Sequence, residues 1–61
     1  MYIINNKNEI FNTNCIPEIT VKNFQVLAMY GNTAQPISYK PDNFMTIADA
    51  IRDGRDYVEV D

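Results

Sequence analysis

Twelve consecutive residues, Thr20–Gly31 (TVKNFQVLAMYG), constrain this chain most, because between the two ends only Lys22, Asn23 and Gln25 are polar. Thr20 is suited to an N-cap and Gly31 to a left-handed stop, so the spacing predicts about three turns of helix. At about 100° per residue, Val21, Phe24, Leu27 and Ala28 share one stripe, and Val26, Met29 and Tyr30 form a second. A surface helix buries one stripe. The second stripe therefore needs a second copy of the chain or a partner protein, which makes this segment an interaction element.

Size sharpens that reading. A chain of 61 residues buries only about 60% of the surface its unfolded form exposes, so its core is marginal. Cys15 is the only cysteine and histidine is absent, which excludes an internal disulfide and any recognisable zinc site. Oligomerisation or partner binding is the remaining support. No apolar run approaches the roughly 20 residues of a membrane span, and no secretory signal pattern opens the sequence. With a lone cysteine, expected to be a small half-buried hydrophobe, these features assign the chain to the cytoplasm with no membrane contact.

The net charge of −3 is placed unevenly. Glu9, Glu18 and Asp42 cancel Lys7, Lys22 and Lys40, whereas Asp49, Asp53, Asp56, Glu59 and Asp61 exceed Arg52 and Arg55. The whole excess lies after Thr46. Direct nucleic-acid binding, which needs a basic footprint, is not expected; an acidic face for a basic partner is.

Tyr2–Ile4 and Glu9–Thr13, separated by an asparagine-rich link, read as strand, turn and strand. After the helix, Gln35–Tyr39 reads as a strand with Pro36 at its start or on an edge. A short second helix is expected from Thr46, where Thr46 and Asp49 have capping-box spacing, to Gly54. Arg55–Asp61 reads as a last strand with Val58 and Val60 on one face and Tyr57, Glu59 and Asp61 on the other. The expected fold class is α+β, one domain over residues 1–61: a small antiparallel or mixed sheet with one main and one short helix, in the order ββαβαβ.

The chemistry available is sparse. Without histidine no His-based triad or acid–base pair can be built, and the isolated Gly31 and Gly54 make no phosphate-binding loop. Carboxylates one turn apart, such as Asp49 and Asp53, read as a solvated helix face. No enzymatic activity, cofactor or metal is expected.

From Ile19 to Ile37 the chain reads ITVKNFQVLAMYGNTAQPI. This resembles the helix region of the small uracil-DNA glycosylase inhibitors of Bacillus phages. The shared pattern is carried by Ile19, Thr20, Val21, Asn23, Phe24, Gln25, Val26 and Leu27, then Tyr30-Gly31-Asn32-Thr33-Ala34 and Ile37. Ala28 and Met29 are additional between the two halves, and Gln25 stands where the family carries an acid. The resemblance implies a homodimer that fills a host enzyme's DNA-binding groove as a mimic of DNA, with Phe24 in a hydrophobic pocket and Gln25 and Tyr30 beside it.

Charge alone is too dilute for such mimicry. Glu59 and Asp61 lie roughly 7 Å apart along a strand, against one charge per about 1.7 Å of duplex axis. Apolar insertion must then carry the affinity while electrostatics steers the encounter. The candidate partner-binding residues are Phe24, Gln25, Val26, Met29, Tyr30, Tyr57, Glu59 and Asp61. Two other readings stand beside this one. One is a dimeric ligand-sequestering, anti-defence protein, which requires Lys22, Lys40, Arg52 and Arg55 to converge. The other is an interaction module whose second stripe serves only self-association.

Overall fold

The computed structural model describes residues 1–61 and contains two three-stranded sheets and one helix. Strands β1 (Tyr2–Ile4) and β2 (Ile10–Asn12) form the N-terminal hairpin. A 3-10 turn at Thr13–Cys15 leads into β3 (Glu18–Lys22), β4 (Gln25–Tyr30) and β5 (Thr33–Ser38). Helix α1 (Asn43–Arg52) and β6 (Tyr57–Glu59) complete the chain. One sheet is mixed, in the order β2-β1-β6 with β1 and β6 parallel; the other is an antiparallel meander, β3-β4-β5.

The class is α+β, but the order ββαβαβ is wrong, because the main helix expected over Thr20–Gly31 does not exist. That segment is two strands and two tight turns. Lys22 pairs with Gln25, leaving Asn23 and Phe24 as a two-residue loop with φ of +53° and +62°. Positive φ at both central residues is the type I′ arrangement, whose twist matches a hairpin. Tyr30 pairs with Thr33 across Gly31 and Asn32, and Gly31 has φ +67°. Gly31 is a turn residue here, not a helix stop.

Period two replaces period 3.6 along β4. Val26 and Ala28 point inward and are fully buried, whereas Gln25, Leu27 and Met29 alternate onto the other face, where Leu27 is buried and Gln25 and Met29 are half-buried. Neither expected helical stripe survives: Val21 lies on β3 and Phe24 in the turn, while Leu27 and Ala28, like Val26 and Met29, fall on opposite faces of β4. Only one α-helix forms. It starts after Pro41-Asp42, three residues before Thr46, and buries Ile47 and Ala50. Its end is a Schellman motif: the Gly54 N–H bonds to the Ile51 carbonyl at 3.1 Å and the Arg55 N–H to the Ala50 carbonyl at 3.0 Å, with Gly54 at φ +71°. Cys15, expected to be half buried, is exposed in the 3-10 turn.

One core lies between the sheets and the helix. Ile3, Phe11, Val58 and Val60 come from the mixed-sheet side, Val26, Ala28 and Ile37 from the meander, and Ile47 and Ala50 from α1. Two buried polar side chains tie these parts together. Asn5 donates to the Ile37 carbonyl at 3.0 Å and to Glu9 Oε1 at 2.8 Å, and accepts from the N–H groups of Lys7 and Glu9 at 3.1 and 2.9 Å. Ser38 donates to the Asp61 carbonyl at 2.6 Å and accepts from Asn43 Nδ2 at 2.8 Å and the Lys40 N–H at 3.0 Å. A bulge in β5 against Val26 and Leu27 turns both Ile37 and Ser38 inward.

Asn5→Ala removes one such tie and leaves the Ile37 carbonyl without its partner. Denaturant unfolding is expected to show a loss of about 2–3 kcal/mol, against under about 0.5 kcal/mol for a control at exposed Asn6.

Candidate functional site

Phe24 is the most exposed large hydrophobic residue, at 82%. Its place follows from the turn. A two-residue loop puts its central side chains beyond both strands, where the chain has nothing to cover them. The backbone there is also costly. A left-handed conformation disfavours a side chain with a Cβ by about 1–2 kcal/mol, and the type I′ turn prefers glycine at this second position. An aromatic ring is therefore held in solvent on a strained turn, where glycine would fit better. Lys22 and Asn23 beside it are exposed, and Gln25 is half-buried at the start of β4.

The other candidates fall elsewhere. Val26 cannot contact a partner, because it is fully buried in the core. Met29 is half-buried on the outer face of the meander, near Leu27. Tyr30 is exposed at the far end of β4, roughly 20 Å from Phe24 at about 3.4 Å per residue, so the two rings cannot enter one pocket. Tyr57 and Glu59 lie on the outer face of the mixed sheet. That face holds residues the sequence reading missed. Tyr2 pairs with Tyr57, and Ile4 with both Ile10 and Glu59, leaving Tyr2 and Tyr57 exposed side by side and Ile10 exposed on the opposite edge strand. The proximity of the two tyrosines comes from parallel pairing of the first and last strands, for which a linear sequence carries no local signal.

Much of the acidic C-terminal segment is paired within the chain. Asp61 meets Lys40 Nζ at 2.8 Å, and Arg52 lies 3.2 Å from Asp49 and 3.6 Å from Asp53. The hydrogen bond and charge of Lys40 hold the Asp61 carboxyl below its ordinary value of 3.8.

Two concavities are present. One of about 520 Å³ is lined by Ile4, Asn5, Asn6, Asn8, Glu59, Val60 and Asp61. The other, about 280 Å³ and mainly apolar, lies between the 3-10 turn, β3 and α1. Neither is lined by lysine or arginine, so Lys22, Lys40, Arg52 and Arg55 do not form an anion pocket. No three His, Cys, Asp or Glu side chains are grouped to hold a metal, and no helix is long and apolar enough to cross a membrane. No family model, characterised protein or solved structure matches the chain.

Two measurements check this geometry. Phe24→Gly is expected to raise stability by about 0.5–1 kcal/mol in denaturant unfolding, as relief of turn strain exceeds glycine's greater unfolded entropy. For Asp61, a lowered folded pKa means that the Lys40 contact stabilises above the ordinary carboxylate value and is lost as pH falls through the folded one. In Lys40→Met, an NMR titration is expected to place the Asp61 midpoint higher, back toward 3.8.

Proposed function

We propose that this chain is a non-catalytic binding protein that blocks a partner protein by inserting Phe24 into an apolar pocket. The observation that carries the reading is a strained turn retaining a ring that is 82% exposed. Strain of this kind persists where a surrounding structure holds it for use. A rigid aromatic side chain on a two-residue turn loses little entropy on docking, which suits an interface anchor.

Uracil-DNA glycosylase of a bacterial host is the target this reading names. The resemblance over Ile19–Ile37 sets the inserted phenylalanine of those phage inhibitors on Phe24, the residue the hairpin presents. The resemblance extends to residue pattern and not to local structure, since a hairpin stands where the family pattern implies a helix. Charge mimicry has a reduced part, because Asp61, Asp49 and Asp53 are occupied by Lys40 and Arg52. Asp56 and Glu59 make no ion pair and steer the encounter with a basic groove. Sequestration of an anionic ligand has no such support, because neither concavity carries a cationic side chain.

Titration into a bacterial uracil-DNA glycosylase assay on uracil-containing DNA tests the proposal. Activity is expected to fall to near zero at about one binding equivalent. Phe24→Ala should weaken inhibition at least about 30-fold, the scale of an anchor worth 2 kcal/mol. Full activity at several-fold molar excess removes this enzyme as the target.

A further inference from the structure

The meander sheet has two outer edges, and only one is blocked. On β5 the outward N–H is missing at Pro36, and the strand is bulged at Ile37. Strand β3, Glu18–Lys22, has neither device and is the longest regular edge in the molecule. Lys22 and Gln25 flank a two-residue turn, so they exchange hydrogen bonds, as do Thr20 with Leu27 and Glu18 with Met29. The N–H and C=O groups of Ile19 and Val21 point outward, and nothing in the chain pairs with them.

We propose that β3 is the pairing edge for a second copy of this chain, related by a two-fold axis at Thr20. In this antiparallel register Ile19 lies opposite Val21 of the partner subunit and Val21 opposite the partner's Ile19. Each pair exchanges two hydrogen bonds, satisfying all four outward groups of both strands. Thr20 faces Thr20 of the partner subunit. Glu18 faces the partner's Lys22, and Lys22 the partner's Glu18, so the charges of the strand complement themselves. Sliding the register by two residues breaks both ion pairs, and parallel pairing sets glutamate beside glutamate.

The inner face agrees with the same occupant. Beside β3 lies the apolar groove of about 280 Å³, lined by Ile16, Ile19, Phe44, Ile47 and Ile51 among others. Val21 and Ile51 are 42% and 51% exposed. A strand added at β3 extends the sheet over this groove, and its inward side chains, the partner's Val21 and the partner's Ile19, cover it. The product is one six-stranded sheet, β5-β4-β3-β3-β4-β5, with each Phe24 turn beyond the paired segment. This surface is independent of any enzyme that Phe24 reaches.

Light scattering on the purified full chain, from micromolar to submillimolar concentration, is expected to give twice the 7.0 kDa chain mass. Glu18→Lys or Lys22→Glu alone should raise the dimer dissociation constant at least tenfold, and the double exchange should restore it. Both positions are exposed, and circular dichroism checks that each variant folds. In a Cys15→Ser background, Thr20→Cys should oxidise to a covalent dimer, because the facing Cα atoms lie about 4.5 Å apart; Ala34→Cys, on the other edge, should not. Phe24→Gly should leave the dimer intact, which separates this proposal from the enzyme target. A monomer at every concentration, a dimer indifferent to the single charge reversals, or cross-linking at Ala34→Cys would overturn it.

Discussion

The β5 bulge at Ile37 and Ser38 is the joint on which the fold depends. There the Asn5 side chain reaches from the N-terminal hairpin to the Ile37 carbonyl, and Ser38 joins β5 to Asn43 at the start of α1 and to the Asp61 carbonyl. These are the only two buried polar residues in the molecule. Buried polar groups are expensive unless satisfied, so each accepts few alternative geometries. A core this small has little apolar area with which to choose one sheet packing over another. Directional bonds at one joint supply the choice, and no buried side-chain nitrogen or oxygen is left without a partner.

Joining the sheets this way leaves a surplus outside. Each sheet gives one face to the shared core, so Met29 on one outer face stays half-buried, and Tyr2, Ile10 and Tyr57 on the other are exposed. The second helical stripe expected from the sequence does not exist, and the exposed apolar side chains lie instead on sheet faces and in one turn. That relocation changes which residues can meet another molecule. It removes Val26 from contact, separates Tyr30 from Phe24, and gives Phe24 a position that a helix would have placed in a buried stripe.

Parts of this were legible and parts were not, for identifiable reasons. The asparagine link and its flanking apolar residues specify the first hairpin, and the spacing of Val58 and Val60 gives the buried face of the last strand. Pro36 stands on an edge, as a residue without an N–H must. Between Thr20 and Gly31 the apolar run satisfies both periods, an ambiguity that only turn chemistry resolves. Gly31-Asn32 between two apolar runs is a hairpin signal that the helix-stop reading overrode. Asn23-Phe24 hides its turn, because phenylalanine occupies the place where glycine normally reveals it. The exposure of Phe24, and the adjacency of Tyr2 and Tyr57, require the strand pairing.

Cross-strand nuclear Overhauser effects in the segment Ile19–Tyr30 test the central claim, that this stretch is a hairpin presenting Phe24 on a left-handed turn. The account predicts close Hα–Hα contacts between Val21 and Val26 and between Ile19 and Ala28, the pairs that do not exchange hydrogen bonds. A ladder of Hα(i) to amide(i+3) contacts from Val21 to Tyr30 would contradict it, return Phe24 to a helical stripe, and remove both the anchor and the pairing edge.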